Sequence, residues 1–162
     1  MVGGGCRGLQ LARGLRADGH VVRAVTRTEA RRAQIEAAGC ECWIGTPDAV
    51  GTLRYALDGV TLLLWLLGTA SGRPEDVAGL HGSRLRMMLE KTTDTTVRGV
   101  VYEAAGPVGA EAIAAGVEEM RRAQRINEIP FALLEADPRD VAAWVPAARG
   151  AIDALVAALA AR

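Results

Sequence analysis

Apolar positions along the chain alternate between a helical rhythm and a strand rhythm. Leu9, Leu11, Ala12 and Leu15 lie on one side of a helix that Gly19 would stop. His20 to Thr26 (HVVRAVT) then reads as a strand with small aliphatic residues on both faces, as a parallel strand needs. Thr28 to Ala38 is charged and helical, Cys40 to Ile44 is a short strand, and Asp48 to Leu57 predicts a helix through Val50, Leu53 and Leu57. The run Val60–Leu67, broken only by Thr61, predicts a fully buried strand. After a loop over residues 68–76, the pattern predicts a helix within Gly79–Thr93 carrying Leu85, Met88 and Leu89. A strand over Val97–Glu103, a helix over Ala110–Asn127, a strand over Pro130–Glu135 and a terminal helix or helix pair over residues 140–162 complete the chain.

Strand and helix alternate throughout. This predicts an α/β fold, a Rossmann-type doubly wound parallel sheet with helices on both faces. The 162 residues are read as one domain, with no separate second domain. One element is short. A Rossmann sheet places its first strand centrally, just before the glycine-rich turn, and only Met1 and Val2 precede that turn here. The first strand is therefore expected to be largely missing, through a start displaced from the natural one. Otherwise a tag or partner strand would fill its place.

The turn carries the chemistry. Gly3-x-Gly5-x-x-Gly8 matches the dinucleotide fingerprint: one glycine for the tight turn, one for backbone approach to the pyrophosphate, one for close helix packing. Cofactor contacts would come from Gly3, Gly5, Cys6, Arg7 and Gly8, with the amide groups and positive end of the helix holding the diphosphate. The second strand ends in Thr26-Arg27-Thr28, where an arginine suits the 2′-phosphate of NADP and an acid would suit the ribose of NAD. Arg27 points to NADP over NAD, with Thr26 and Thr28 as hydroxyl partners and Arg31 or Arg32 as a second cation.

These segments resemble the atypical and extended short-chain dehydrogenase/reductases, including NAD-dependent epimerase/dehydratase-like proteins. The likeness rests on GGGCRG, GHVVRAVTR, GTPDAVGTLRYALDGV and LLLWLLG, and reaches to about Thr69. It implies that Leu67, Gly68 and Thr69 lie against the cofactor ribose, towards the nicotinamide. Where the family often carries Gly-Asp to contact adenine, this chain has Gly45-Thr46. The family's Tyr-x-x-x-Lys dyad is absent: Tyr55 and Tyr102 are followed four residues on by Gly59 and Gly106, and Lys91 is the only lysine. Catalytic residues are thus unassigned. Tyr102, Glu103, Glu135 and Asp137 follow strands where a substrate crevice would lie, or serve as loop and cap residues.

Composition trims the alternatives. A formal net charge of +0 gives no electrostatic reason to expect nucleic acid or an anionic membrane. Cys6, Cys40 and Cys42 have neither disulfide nor zinc spacing, so no metal is expected and free thiols fit a cytoplasmic protein. Trp43, Trp65 and Trp144 are expected in the core or an interface. Three functional readings stay open: an atypical reductase passing hydride to a small acceptor such as a flavin or quinone, a non-catalytic NADP(H)-binding redox-sensing or partner-binding module, and a degenerate domain. The Ala- and Leu-rich segment Ile152–Leu159 could offer an association surface, and a homodimer is one expected form.

Overall fold

Alternate leucines of one strand divide the core. Strand β4 (Leu62–Leu66) sends Leu63 and Trp65 to one face of the sheet and Leu62, Leu64 and Leu66 to the other, so both faces must be covered by helices. In this computed structural model, which describes residues 1–161, they are. Helices α1 (Gly5–Ala17), α2 (Arg32–Ala37) and α6 (Val141–Ala160) bury Leu11, Leu15, Ile35, Trp144 and Ile152 on one face. Helices α3 (Pro74–His81), α4 (Ser83–Thr92) and α5 (Ala110–Asn127) bury Leu80, Leu85, Met88 and Met120 on the other.

All strand pairs are parallel. β1 (Val2–Gly3) pairs with β4, which pairs with β5 (Gly99–Glu103), which pairs with β6 (Phe131–Leu134). β2 (Arg23–Thr26) pairs with β3 (Glu41–Ile44) as a separate ribbon. The two parts meet through Met1, whose amine donates to Arg23 O at 2.7 Å and whose carbonyl accepts from Val25 N at 3.0 Å. The spatial order is 3-2-1-4-5-6, the doubly wound Rossmann order. As expected, the central strand is short: it has two residues.

Two elements differ from the pattern. Asp48–Leu57 forms two 3₁₀ turns, Val50–Leu53 and Tyr55–Leu57, rather than an α-helix. The Thr52 hydroxyl donates to Ala49 O and accepts from Thr46 N, and the Trp43 indole takes the Thr52 carbonyl. Those bonds compete with a continuous helical ladder. The second-half helix begins earlier than expected, at Pro74, and breaks at Gly82 into α3 and α4. The α5 bounds match the apolar pattern, and Asp140 caps α6 by accepting from Ala143 N.

Candidate dinucleotide site

The turn after β1 is built from glycine conformations. Gly3 and Gly4 have φ of 82° and 85°, and a Cβ on Gly3 would lie 2.3 Å from Leu66 O. Only glycine fits between the turn and β4 there. Gly5 differs: beyond its Cβ position nothing lies within 4 Å. At the other side of the turn Gly8 packs against Gly3 O, 3.3 Å from where its Cβ would be, which draws α1 onto the sheet. The first helical bond runs from Gly8 N to Gly4 O. The amides of Gly5, Cys6 and Arg7 precede it at the open end of α1, where a helix lacks internal partners and carries partial positive charge.

Arg7 is engaged elsewhere. Its Nη2 donates to both carboxylate oxygens of Glu103 at 2.8 and 2.9 Å, its Nη1 donates to Thr69 Oγ1 at 3.1 Å, and the guanidinium lies 5.0 Å from the Trp144 ring centre. Glu103 is fully buried and also accepts from Gly68 N at 2.6 Å and from the Trp144 indole at 2.8 Å. This hub joins α1, β5, α6 and the loop after β4. It brings Gly3–Gly8 and Leu67–Thr69 together at the carboxyl ends of the strands. Gly68 is pressed against the loop after β5, its Cβ position 2.0 Å from Ala105 O. Thr69 is exposed beside it, while Leu67 and Gly68 are buried.

The β2 end supplies the other wall. Thr26 is buried, with its hydroxyl 3.4 Å from Thr28 O, and Arg27 and Thr28 are exposed. Arg27 faces Asp48 at 3.5 Å, and Asp48 also faces Arg84 at 3.2 Å. Arg84 in turn donates to Asp76 O at 2.7 Å. Asp48 and Arg84 were not legible as site residues, since they come from the loop after β3 and from α4. Asp48 lies two residues beyond Thr46, whose hydroxyl contacts it. Of the two expected second cations, Arg32 is bound to Glu36 in its own helix and to Glu29 in the 3₁₀ turn before it, and Arg31 bonds Gln34. Arg84, not Arg31 or Arg32, stands beside the Arg27–Asp48 pair.

Tyr102 and Glu103 do not line a crevice: both are fully buried. The Tyr102 hydroxyl is 2.6 Å from His81 Nδ1, and His81 Nε2 is 3.3 Å from Leu67 O. Burial pushes the Tyr102 phenol well above its usual range and holds the His81 imidazole below its ordinary value. Glu135 and Asp137 are exposed, and Asp137 is paired with Arg139, whose hydrogen bonds lower its carboxyl to about 2. Trp65 and Trp144 fill the core, and Trp43 is partly buried. Cys6 is exposed, Cys40 buried, and no metal-ligating cluster occurs among the described residues. In the segment Ile152–Leu159, Ile152 and Leu155 are buried and Val156 is 39% exposed.

No family model matches the chain, and no curated protein matches it. Solved structures do. A short-chain dehydrogenase/reductase superfamily protein from Agrobacterium tumefaciens with bound NAD is 19% identical, with a TM-score of 0.66 over 83% of this chain and 47% of its own. The Citrobacter triphenylmethane reductase complexed with NADP(H) is 19% identical, TM-score 0.63, over 83% and 47%. An NADPH-dependent quinone oxidoreductase from Escherichia coli is 18% identical, TM-score 0.58, over 83% and 46%. The fold is that of the short-chain dehydrogenase/reductase and epimerase-like proteins. The chain spans about half the length of these structures.

Proposed function

We propose that this chain is the dinucleotide-binding part of an NADP(H)-dependent reductase. The observation that carries the reading is the turn at Gly3–Gly5: all three glycines take positive φ, a Cβ on Gly5 would meet nothing within 4 Å, and the turn leads into the N-terminal end of α1. A diphosphate fits there. Its charge would be met by backbone amides and the helix end, not by Arg7, which Glu103 already neutralises. Arg7 instead acts from behind the cradle. Through Thr69 and Glu103 it fixes the loop against which the ribose would lie.

Arg27 supports NADP over NAD. It is 64% exposed and held only loosely to Asp48, so a 2′-phosphate can replace that carboxylate and recruit Arg84 from the same acid. The bound nicotinamide would supply hydride. Among these residues no exposed acid stands beside Leu67–Thr69, and Tyr102 and His81 are sealed beneath it. The residues present therefore position the cofactor rather than transfer a proton, which suits an acceptor such as a flavin or quinone whose proton comes from solvent.

Calorimetric titration with NADPH and NADH tests the reading. Arg27→Glu is expected to weaken NADPH binding by roughly tenfold or more while leaving NADH within about twofold. Equal loss for both cofactors would refute the NADP assignment. Binding of neither by the parent protein would refute the cradle.

A further inference from the structure

Beneath the Leu67–Thr69 loop lies a polar pair that the dinucleotide reading leaves without a task. His81 and Tyr102 are fully buried and meet edge to face, with ring centres 5.8 Å apart. Tyr102 belongs to β5 and His81 to the last turn of α3. α5 makes room for the phenol at Gly116, where a Cβ would stand 1.9 Å from the Tyr102 hydroxyl. Apolar residues of similar shape would fill this space at little net cost in stability. What they would lack is direction.

The hydrogen bonds run one way. His81 Nε2 is 3.3 Å from Leu67 O, and a carbonyl can only accept, so the ring proton sits on Nε2. Nδ1 is then the acceptor, and the Tyr102 hydroxyl donates to it at 2.6 Å. This arrangement needs a neutral imidazole. Burial keeps it so, holding His81 below its ordinary pKa against the opposing pull of Leu67 O. β4 returns the contact, because the Trp65 indole donates to Leu80 O at 3.1 Å. Strand and helix end are thus tied in both directions, side chain to backbone each time.

The peptide unit between Leu67 and Gly68 is therefore held at both edges by buried side chains. Its oxygen accepts from His81, and its N–H donates to Glu103 at 2.6 Å. A trans peptide is planar, so bonds at its oxygen and its N–H together fix its rotation about the chain. With either bond alone, the plane can tilt about the one that remains. We infer that His81 is a positioning residue for the cofactor, oriented by Tyr102, that sets the Leu67–Gly68 peptide against which the ribose on the nicotinamide side would lie. This rests on the dinucleotide reading above. The Gly3–Gly8 turn and Arg27 make no hydrogen bond to His81 or Tyr102, so a ligand that ends before the nicotinamide half escapes the effect.

Two substitutions separate the jobs of the ring nitrogens. His81→Gln keeps an amide donor for Leu67 O, whereas His81→Asn keeps an acceptor for the Tyr102 hydroxyl and loses that donor. In calorimetric titrations NADPH is expected to bind His81→Asn about tenfold more weakly than the parent chain, and His81→Gln within about threefold of it. Tyr102→Phe, which removes only the hydroxyl, should weaken NADPH by about threefold. Adenosine 2′,5′-bisphosphate, which lacks the nicotinamide half, should bind the parent and every variant within about twofold. Equal weakening of NADPH and this fragment in His81→Asn would overturn the inference, since a general loosening of the fold moves both. Equal NADPH affinity in His81→Asn and His81→Gln would overturn it too. A parent chain that binds neither ligand would overturn the dinucleotide reading itself, and the inference with it.

Discussion

Glu103 is the residue whose removal should be felt most widely. It is fully buried and accepts from Arg7, Gly68 and Trp144, so Glu103→Ala strands three donors at once. The largest part is Arg7, whose side chain is 9% exposed and whose Nε is already buried without a partner. Breaking one side of such a pair costs about 3–5 kcal/mol, because the remaining charge is left uncompensated. The Gly68 amide and Trp144 indole add about 1 kcal/mol each where water cannot reach them. Water entering the space of the lost carboxylate offsets part of this, giving an expected loss of about 4 kcal/mol. Against a typical total of about 5–15 kcal/mol, that is a large share of the fold's stability. Removing the charge at both ends should be milder. The pair Arg7→Met with Glu103→Gln is expected to cost about 2 kcal/mol less than Glu103→Ala alone, since no buried charge survives. Urea unfolding followed by tryptophan fluorescence, with unchanged m-values, measures each step. A loss below about 1 kcal/mol for Glu103→Ala would refute the reasoning, as would a double variant less stable than the single one.

Two further outcomes follow from the packing and the buried ionisable groups. Gly116→Ala should destabilise by about 1–3 kcal/mol despite alanine's better helix propensity, because the new methyl would stand 1.9 Å from the Tyr102 hydroxyl inside a full core; Gly150→Ala, with nothing within 4 Å, should stabilise by about 0.5–1 kcal/mol, and thermal melting of both checks the opposite signs. The Met1 amine is lowered from 8.0 to about 5 by burial and by Arg23, so the unfolded chain binds a proton there that the native chain does not. Stability should therefore be fully present above pH 8 and fall as pH drops towards 5, by at most ~4 kcal/mol. His81, also lowered by burial, adds a loss of the same sign only below about pH 6.5. Urea midpoints between pH 6.5 and 8 thus report the amine alone: acetylation of Met1 should flatten that interval, and an already flat interval in the parent chain would refute the assignment.

The sequence alone determined the order of elements and the glycine turn after the first strand, because both rest on local rules. Apolar period separates strand from helix, and Gly3 and Gly5 take positive φ, a backbone shape set within the turn itself. The shortness of the first strand was also legible, since two residues cannot fill a central slot. Local rules misjudged Asp48–Leu57, where the Thr52 hydroxyl and the Trp43 indole take groups a helix needs. Only the tertiary structure decided which charges are free. Arg7 stands within the fingerprint yet is bound to a carboxylate 96 positions away, and Tyr102 and Glu103, at the edge expected to bear ligands, are sealed inside. Arg84 reaches the Arg27–Asp48 pair from a different helix. Charge pairing depends on distance in space and on exclusion of water, and neither quantity is written in the spacing of residues along a chain.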